Sequence, residues 1–123
     1  MIKAVGPRIS FPISPAVVAG NIFFATNVPV DLQTGHFVGG PIETQARQVF
    51  GNLEALLKEA GGSLSDVAQI TIYLTDPRWR EAVYRTIGQW LRGVYPVSTG
   101  IVVAGLARPE WLVEVDVIAV IPD

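Results

Sequence analysis

The stretch Leu112-Val113-Glu114-Val115-Asp116-Val117-Ile118-Ala119-Val120-Ile121 decides the fold. β-Branched residues dominate it, and side chains along a strand alternate between two faces, so Val113, Val115, Val117, Ala119 and Ile121 form one apolar row. The opposite row opens with two carboxylates, Glu114 and Asp116, and turns apolar at Ile118 and Val120. Apolar groups on both rows predict cover on both faces: helices of the same chain on one side and a partner subunit on the other. Glu114 and Asp116 sit on one face, roughly 7 Å apart along the backbone. A carboxylate on so apolar a strand is expected to be paired, hydrogen-bonded or functional. The dyad alone is unspecific, and cross-strand pairing or a wet interface would account for it equally.

Working outward, residues 41–60 carry apolar side chains at Ile42, Ala46, Val49, Phe50, Leu53, Leu56, Leu57 and Ala60, a spacing of threes and fours that predicts a helix. Pro41 suits its first turn, and Gly61-Gly62 follow its end. Gly51 costs the helix about 1 kcal/mol relative to alanine, and close packing against a sheet is the expected reason. Residues 67–75 alternate as a strand, with Ile70, Ile72 and Leu74 on one face. Asp76-Pro77 provides an N-cap and a proline at the first position of a second helix, which runs to about residue 93 with Trp79, Val83, Ile87, Trp90 and Leu91 as its apolar stripe. Residues 96–104 form the next strand, a turn follows at Arg108-Pro109, and 112–121 close the chain. Residues 1–31 read as short strands, with Ala19-Gly20-Asn21 joining 15–18 to 22–25 in a hairpin, and 32–40 read as a glycine-marked loop. The order ββ, α, β, α, ββ predicts an α+β layer of about six strands with both helices on one face.

The 123 residues are 50% hydrophobic and 16% charged, which fits one domain over 1–123 and excludes disorder. It also implies more apolar surface than one subunit hides. Cysteine is absent, which removes thiol nucleophiles, cysteine zinc sites and iron–sulfur clusters. Nine Lys and Arg against eleven Asp and Glu give a net charge of −2, a poor field for nucleic acid. Pro7, Pro12 and Pro15 interrupt the N-terminal stretch, which holds no apolar run of signal or membrane-spanning length, so a soluble, cytoplasmic protein with no membrane partner is expected.

His36, the only histidine, lies in a glycine-flanked loop and reads as an exposed loop residue rather than part of a triad or metal site. Arg78, Arg85 and Arg92 are spaced by seven on the second helix, with Arg80 nearby. Such a stripe could meet phosphates, but Glu81 four residues before Arg85 favours a solvated face. Trp79 and Trp90 fall on the packed stripe, as core rather than stacking platforms. No glycine-rich phosphate loop is present, so no nucleotide cofactor is expected.

The run Gly51-Asn52-Leu53-Glu54-Ala55-Leu56-Leu57-Lys58-Glu59-Ala60-Gly61, then Ser65-Asp66-Val67, Tyr73-Leu74-Thr75-Asp76, Pro96 and the stretch from Leu112 to Val120, resembles the Rid family, also called YjgF-like. The likeness covers almost the whole chain, including Asn27-Val28-Pro29-Val30-Asp31 and Thr34-Gly35 where that family has a Gln-Ile-Pro-type segment and a Thr-Gly turn. It implies a chorismate-mutase-like protomer, a homotrimer whose sheets form the central core, and small-molecule clefts between subunits. It further implies hydrolysis of enamines and imines such as 2-aminoacrylate without a cofactor or metal. Other members are described as endoribonucleases or translation inhibitors.

Position by position, Glu114 matches the family's cleft glutamate, expected to position or activate water, and Gly100 matches a position whose backbone N–H faces ligand. Ser98 stands where the deaminase branch has an arginine that grips the substrate carboxylate. One hydroxyl cannot reproduce a two-pronged charged contact, which counts against simple 2-imino acid deamination. Ile13 replaces a typical Tyr, Ala25-Thr26 a Ser-Gly, and Tyr84 an Asn. The expected site is therefore Glu114 as catalytic residue with Ser98, Thr99, Gly100, Ile13, Thr26 and Tyr84 around the ligand. Whether Arg108, in a loop one residue longer than usual, supplies the missing charge is open. A non-catalytic trimeric metabolite-binding scaffold is the alternative, with RNA cleavage a third reading.

Overall fold

Alternating apolar rows in six segments pair into one mixed sheet in the computed structural model, which describes residues 2–122. The expected domain over 1–123 also includes Met1 and Asp123, which lie outside the described residues. The strands are β1 (Ile2–Val5), β2 (Ala16–Ala19), β3 (Ile22–Asn27), β4 (Val67–Leu74), β5 (Val97–Val102) and β6 (Val113–Val120). Their order across the sheet is β1-β2-β3-β6-β4-β5, antiparallel except for the parallel pair β4–β5. Helices α1 (Ile42–Glu59) and α2 (Arg80–Trp90) supply the cover. No helix among the described residues is long and apolar enough to cross a membrane.

The β2–β3 hairpin forms where expected, with Gly20 at φ +64°, a left-handed position that a side chain disfavours. In the loop after β3, Asp31 Oδ1 accepts the backbone N–H groups of Gln33 and Thr34 at 2.8 and 2.9 Å, and these bonds hold its carboxyl below the usual range. Pro41 sits just before α1 at φ −66°. Asp76 caps the second helical segment by accepting the Arg78 N–H at 2.8 Å, with Pro77 following. That segment is divided: a 3₁₀ turn holds Pro77–Trp79, and α2 itself begins at Arg80 and ends at Trp90. Arg78 and Arg92 thus lie outside the α-helix expected to carry them.

The core lies between the helices and one sheet face. Val113, Val115, Val117 and Ala119 from β6 meet Ile70, Ile72 and Leu74 from β4, Phe23 from β3, and Val49, Leu53, Leu56, Val83 and Ile87 from the helices. Two buried amides interrupt the apolar stripe of α1. Asn52 Nδ2 donates to Asn27 Oδ1 at 2.6 Å and to the Val30 carbonyl at 2.7 Å, and Gln45 joins the Glu110 carbonyl and the Leu112 N–H at 3.2 and 2.9 Å. They satisfy backbone groups of the segments entering and leaving the sheet, which burial would otherwise penalise.

Gly51 packs otherwise than expected. A β-carbon there would lie 3.9 Å from ring carbons of Trp90, so its neighbour is α2 and not the sheet, at ordinary contact distance. Trp79 and Trp90 are partly buried against the core as predicted, and the Trp90 and Phe50 ring centres stand 6.4 Å apart. In β4, the pairing of Val67 with Ala119 and of Gln69 with Ile118 leaves Ala68 as a bulge, so both Val67 and Ile70 point into the core.

The second sheet face differs from the reading of a fully buried sheet. In the single chain Phe24, Ile101 and Val120 are 42%, 41% and 45% exposed there. Cover on that face, if supplied, comes from outside the chain.

Candidate functional site

The uncovered face has a polar centre within apolar surroundings. Registers fix its members: Asp116 lies between Thr26 of β3 and Thr71 of β4, and Glu114 pairs with Tyr73. All five point away from the core, because their strand neighbours Val113, Val115, Val117, Ile70 and Ile72 point into it. Thr26 Oγ1 donates to Glu114 Oε2 at 3.1 Å, and the Tyr73 hydroxyl donates to Asp116 Oδ2 at 2.8 Å. Burial pushes the Glu114 carboxyl above its ordinary pKa, the Thr26 hydrogen bond pulls it partly back, and the Asp116 charge pushes it up again. The Tyr73 phenol is also raised, first by its bond to Asp116 and then by burial. A partly buried carboxylate kept proton-hungry beside a second acid is suited to taking a proton from water. An open concavity of about 380 Å³ runs beside Thr26, Thr71 and Asp116 along Phe24 and Ile118, and Glu114 lies outside its lining.

The other expected site residues divide by face. β5 pairs Ser98 with Ile70, Thr99 with Thr71 and Gly100 with Ile72. Thr99 therefore shares the face of Glu114, whereas Ser98 and Gly100 share the helix side. There the Tyr84 hydroxyl and Ser98 Oγ meet at 2.9 Å. A β-carbon on Gly100 would stand 2.8 Å from that same hydroxyl and 2.5 Å from Arg80 Nη1, so this glycine makes room for both side chains. Ile13 is 64% exposed in the irregular segment before β2. One chain thus brings Thr26 to Glu114, and Tyr84 to Ser98 and Gly100, but does not bring the two groups together.

In the sequence Arg80 is only one of the basic residues of the second helical segment. Its spacing of four from Tyr84 on a helix was the available signal. Tyr73 and Thr71 were visible only as strand residues, because their partners depend on register. His36 is exposed in its turn, and Arg108 is exposed in the loop before β6, with no side-chain partner among the described residues. Asp76 pairs with Arg78 at 2.9 Å and Glu81 with Arg85 at 3.6 Å, which favours the solvated-face reading of the arginine stripe.

The family model Endoribonuclease L-PSP matches residues 3–121. The chain belongs to this family, the YjgF/Rid family. A Rid-family protein of Yersinia pestis superimposes with a TM-score of 0.92 at 28% identity, covering 98% of this chain and all of that one, which agrees with the fold the resemblance implied. A RutC family protein of Pyrococcus horikoshii is 35% identical over 114 residues, 92% of this chain and 90% of the relative. A Rid relative in Dermatophagoides farinae, named 2-iminobutanoate/2-iminopropanoate deaminase, is 28% identical over 116 residues, 94% of this chain and 90% of its own length.

Proposed function

We propose that this Rid-family chain hydrolyses a small enamine or imine in a cleft completed between the subunits of a homotrimer, with Glu114 acting on the attacking water. The observation that carries this reading is the Glu114 carboxyl, partly buried on the uncovered sheet face, oriented by Thr26 and raised in pKa chiefly by burial. As a carboxylate it accepts a proton while the water oxygen bonds to the imine carbon. As the resulting acid it returns that proton to nitrogen, giving a carbinolamine, and in the collapse the same carboxylate takes the hydroxyl proton and passes it to nitrogen as the carbon–nitrogen bond breaks, so that a carbonyl compound and ammonia leave. An enamine first takes a proton at carbon to become the imine. The apolar surround of Phe24, Ile118 and Val120 supports a partner on this face, because water excluded there strengthens the action of the carboxylate. The deaminase name of the mite relative supports the reaction class.

The test is ammonia release from 2-aminoacrylate and 2-iminobutanoate generated in situ, comparing wild type with Glu114→Gln at equal oligomeric mass. Whatever turnover the wild type gives with these simple acids, for which its pocket lacks the family arginine, is expected to fall at least about a hundredfold in Glu114→Gln. Equal rates would remove Glu114 from the chemistry, and inactivity of both would favour a metabolite-binding scaffold.

A further inference from the structure

We infer that the groove between the C-terminal half of α1, the turn after it and the end of α2 is a second small-molecule site, and that it takes a planar aromatic monoanion. The groove belongs to the helix layer, so it lies across the sheet from Glu114 and is independent of the hydrolytic reading.

Three observations converge on it. First, the groove measures about 370 Å³, a size that suits a small ligand, and its floor is apolar, made by Leu64, Leu91, Val94 and the Trp90 ring. Second, Trp90 Nε1 is buried without a hydrogen-bond partner, the only buried side-chain nitrogen or oxygen so left among the described residues. Buried donors are otherwise almost always paired. Trp79, on the same packed stripe, follows that rule, with Nε1 donating to Thr75 Oγ1 at 3.3 Å. Trp90 Cζ2 shares a ring carbon with Nε1 and stands 3.9 Å from where a β-carbon on Gly51 would lie, so the N–H edge of the indole faces α1. From Gly51 the same helix face runs on to Glu54 and Lys58, which wall the groove, and the unpaired donor therefore borders it. Third, the cations of the rim are free. Lys58 and Arg92 are exposed and make no ion pair among the described residues, while the neighbouring Asp66 carboxylate is engaged by the Ser63 N–H at 2.8 Å.

Together these features describe one occupant. An indole face offers a stacking surface to a planar ring, and an N–H at its edge requires an acceptor oxygen. Two cations against the single carboxylate of Glu54 leave one positive charge, which one negative charge balances. An aliphatic anion would forgo the stacking, and a neutral ring would forgo the charge. An arene carrying one anionic oxygen group supplies all three. As its oxygen reaches Nε1 the penalty of the unpaired donor disappears, so part of the affinity comes from a defect of the unliganded chain.

The experiment is calorimetric titration of the intact protein with 2-naphthalenesulfonate, neutral 2-naphthol and cyclohexanesulfonate. It uses wild type, Trp90→Phe, the double variant Lys58→Gln with Arg92→Gln, and Glu114→Gln, and isotope-labelled wild type reports the indole N–H signals directly. Naphthalenesulfonate is expected to bind wild type and Glu114→Gln alike, and to weaken about tenfold in Trp90→Phe and in the double variant. It is also expected to move the Trp90 indole signal downfield while those of Trp79 and Trp111 stay in place. The neutral and aliphatic probes are expected to bind wild type at least about tenfold more weakly. An unmoved Trp90 signal, equal affinity in either groove variant, a neutral or aliphatic probe as tight as the arene sulfonate, or no binding to wild type up to about 1 mM would each overturn the inference. So would binding lost in Glu114→Gln, which would put the ligand on the other side of the sheet. If Trp90→Phe does not keep the wild-type mass in solution, the double variant, altered only at exposed positions, decides together with the indole signal.

Discussion

The Thr26 hydroxyl donates to Glu114 across 3.1 Å, although the residue opposite Thr26 in the ladder is Asp116. The bond runs diagonally, one pleat along the strand. It is the one influence that lowers the pKa of Glu114, against burial and the Asp116 charge, which both raise it. In the proposed reaction the ionised form is the base, so activity falls as pH drops through the pKa of Glu114. Thr26→Val removes the lowering influence and is expected to move the acid limb of the pH–rate profile to higher pH, with the plateau above it largely kept. A limb that stays in place or moves to lower pH would show that this bond does not tune the carboxyl.

Asn52 gives two donors to the segment that leaves β3, one to the Asn27 side chain and one to the Val30 carbonyl. Asn52→Ala leaves the buried Asn27 oxygen and the partly buried Val30 carbonyl unpaired and is expected to cost about 3 kcal/mol in urea unfolding. A cost below about 1 kcal/mol would mean that water reaches the vacated space.

Gly51 lies inside α1 with ordinary contact distance to Trp90, so a methyl group fits there. Gly51→Ala is expected to stabilise the chain by about 1 kcal/mol through helix propensity. Destabilisation by a similar amount would show that the two helices are packed more tightly than these distances indicate.

Phe24 faces Ile118 across the β3–β6 ladder on the uncovered side of the sheet and is 42% exposed. Phe24→Lys is expected to convert the proposed trimer to monomers in a light-scattering mass measurement while leaving the circular dichroism spectrum intact. An unchanged mass would place the subunit interface elsewhere.

The sheet and both helices were legible because apolar periodicity reports local geometry directly: the alternation of Val113, Val115 and Val117, and the threes and fours from Ile42 to Leu57. Glu114 stands out for the same reason, as a charge on an otherwise apolar strand. The division of the site was not legible. Ser98 and Glu114 fall on opposite faces because β5 pairs with β4 in parallel, at a register set by the crossover through α2, and nothing within Val97–Val102 states that register. The sequence predicts a buried second face because hydropathy records a side chain's preference and not whether one chain can satisfy it. Nothing in the sequence singles out Arg80, because its pairing with Tyr84 beside the strand depends on Gly100, twenty positions away and brought close only by folding.

The bulge at Ala68 gives β4 one residue more than its ladder uses, and this sets where the strand tolerates a change of length. Loss of Ala68 would restore strict alternation, keeping Val67 and Ile70 on the core side and Thr71 and Tyr73 beside the two acids. Loss of Thr71 would instead reverse every position on one side of the cut, sending core residues outward or Tyr73 inward. Single-residue deletions scored by soluble expression should therefore be accepted at 68 and rejected at 71, and equal tolerance at both would mean that the ladder can slip. A spare residue at the start of β4 thus lets chain length drift without disturbing the phase of the strand that carries Thr71 and Tyr73.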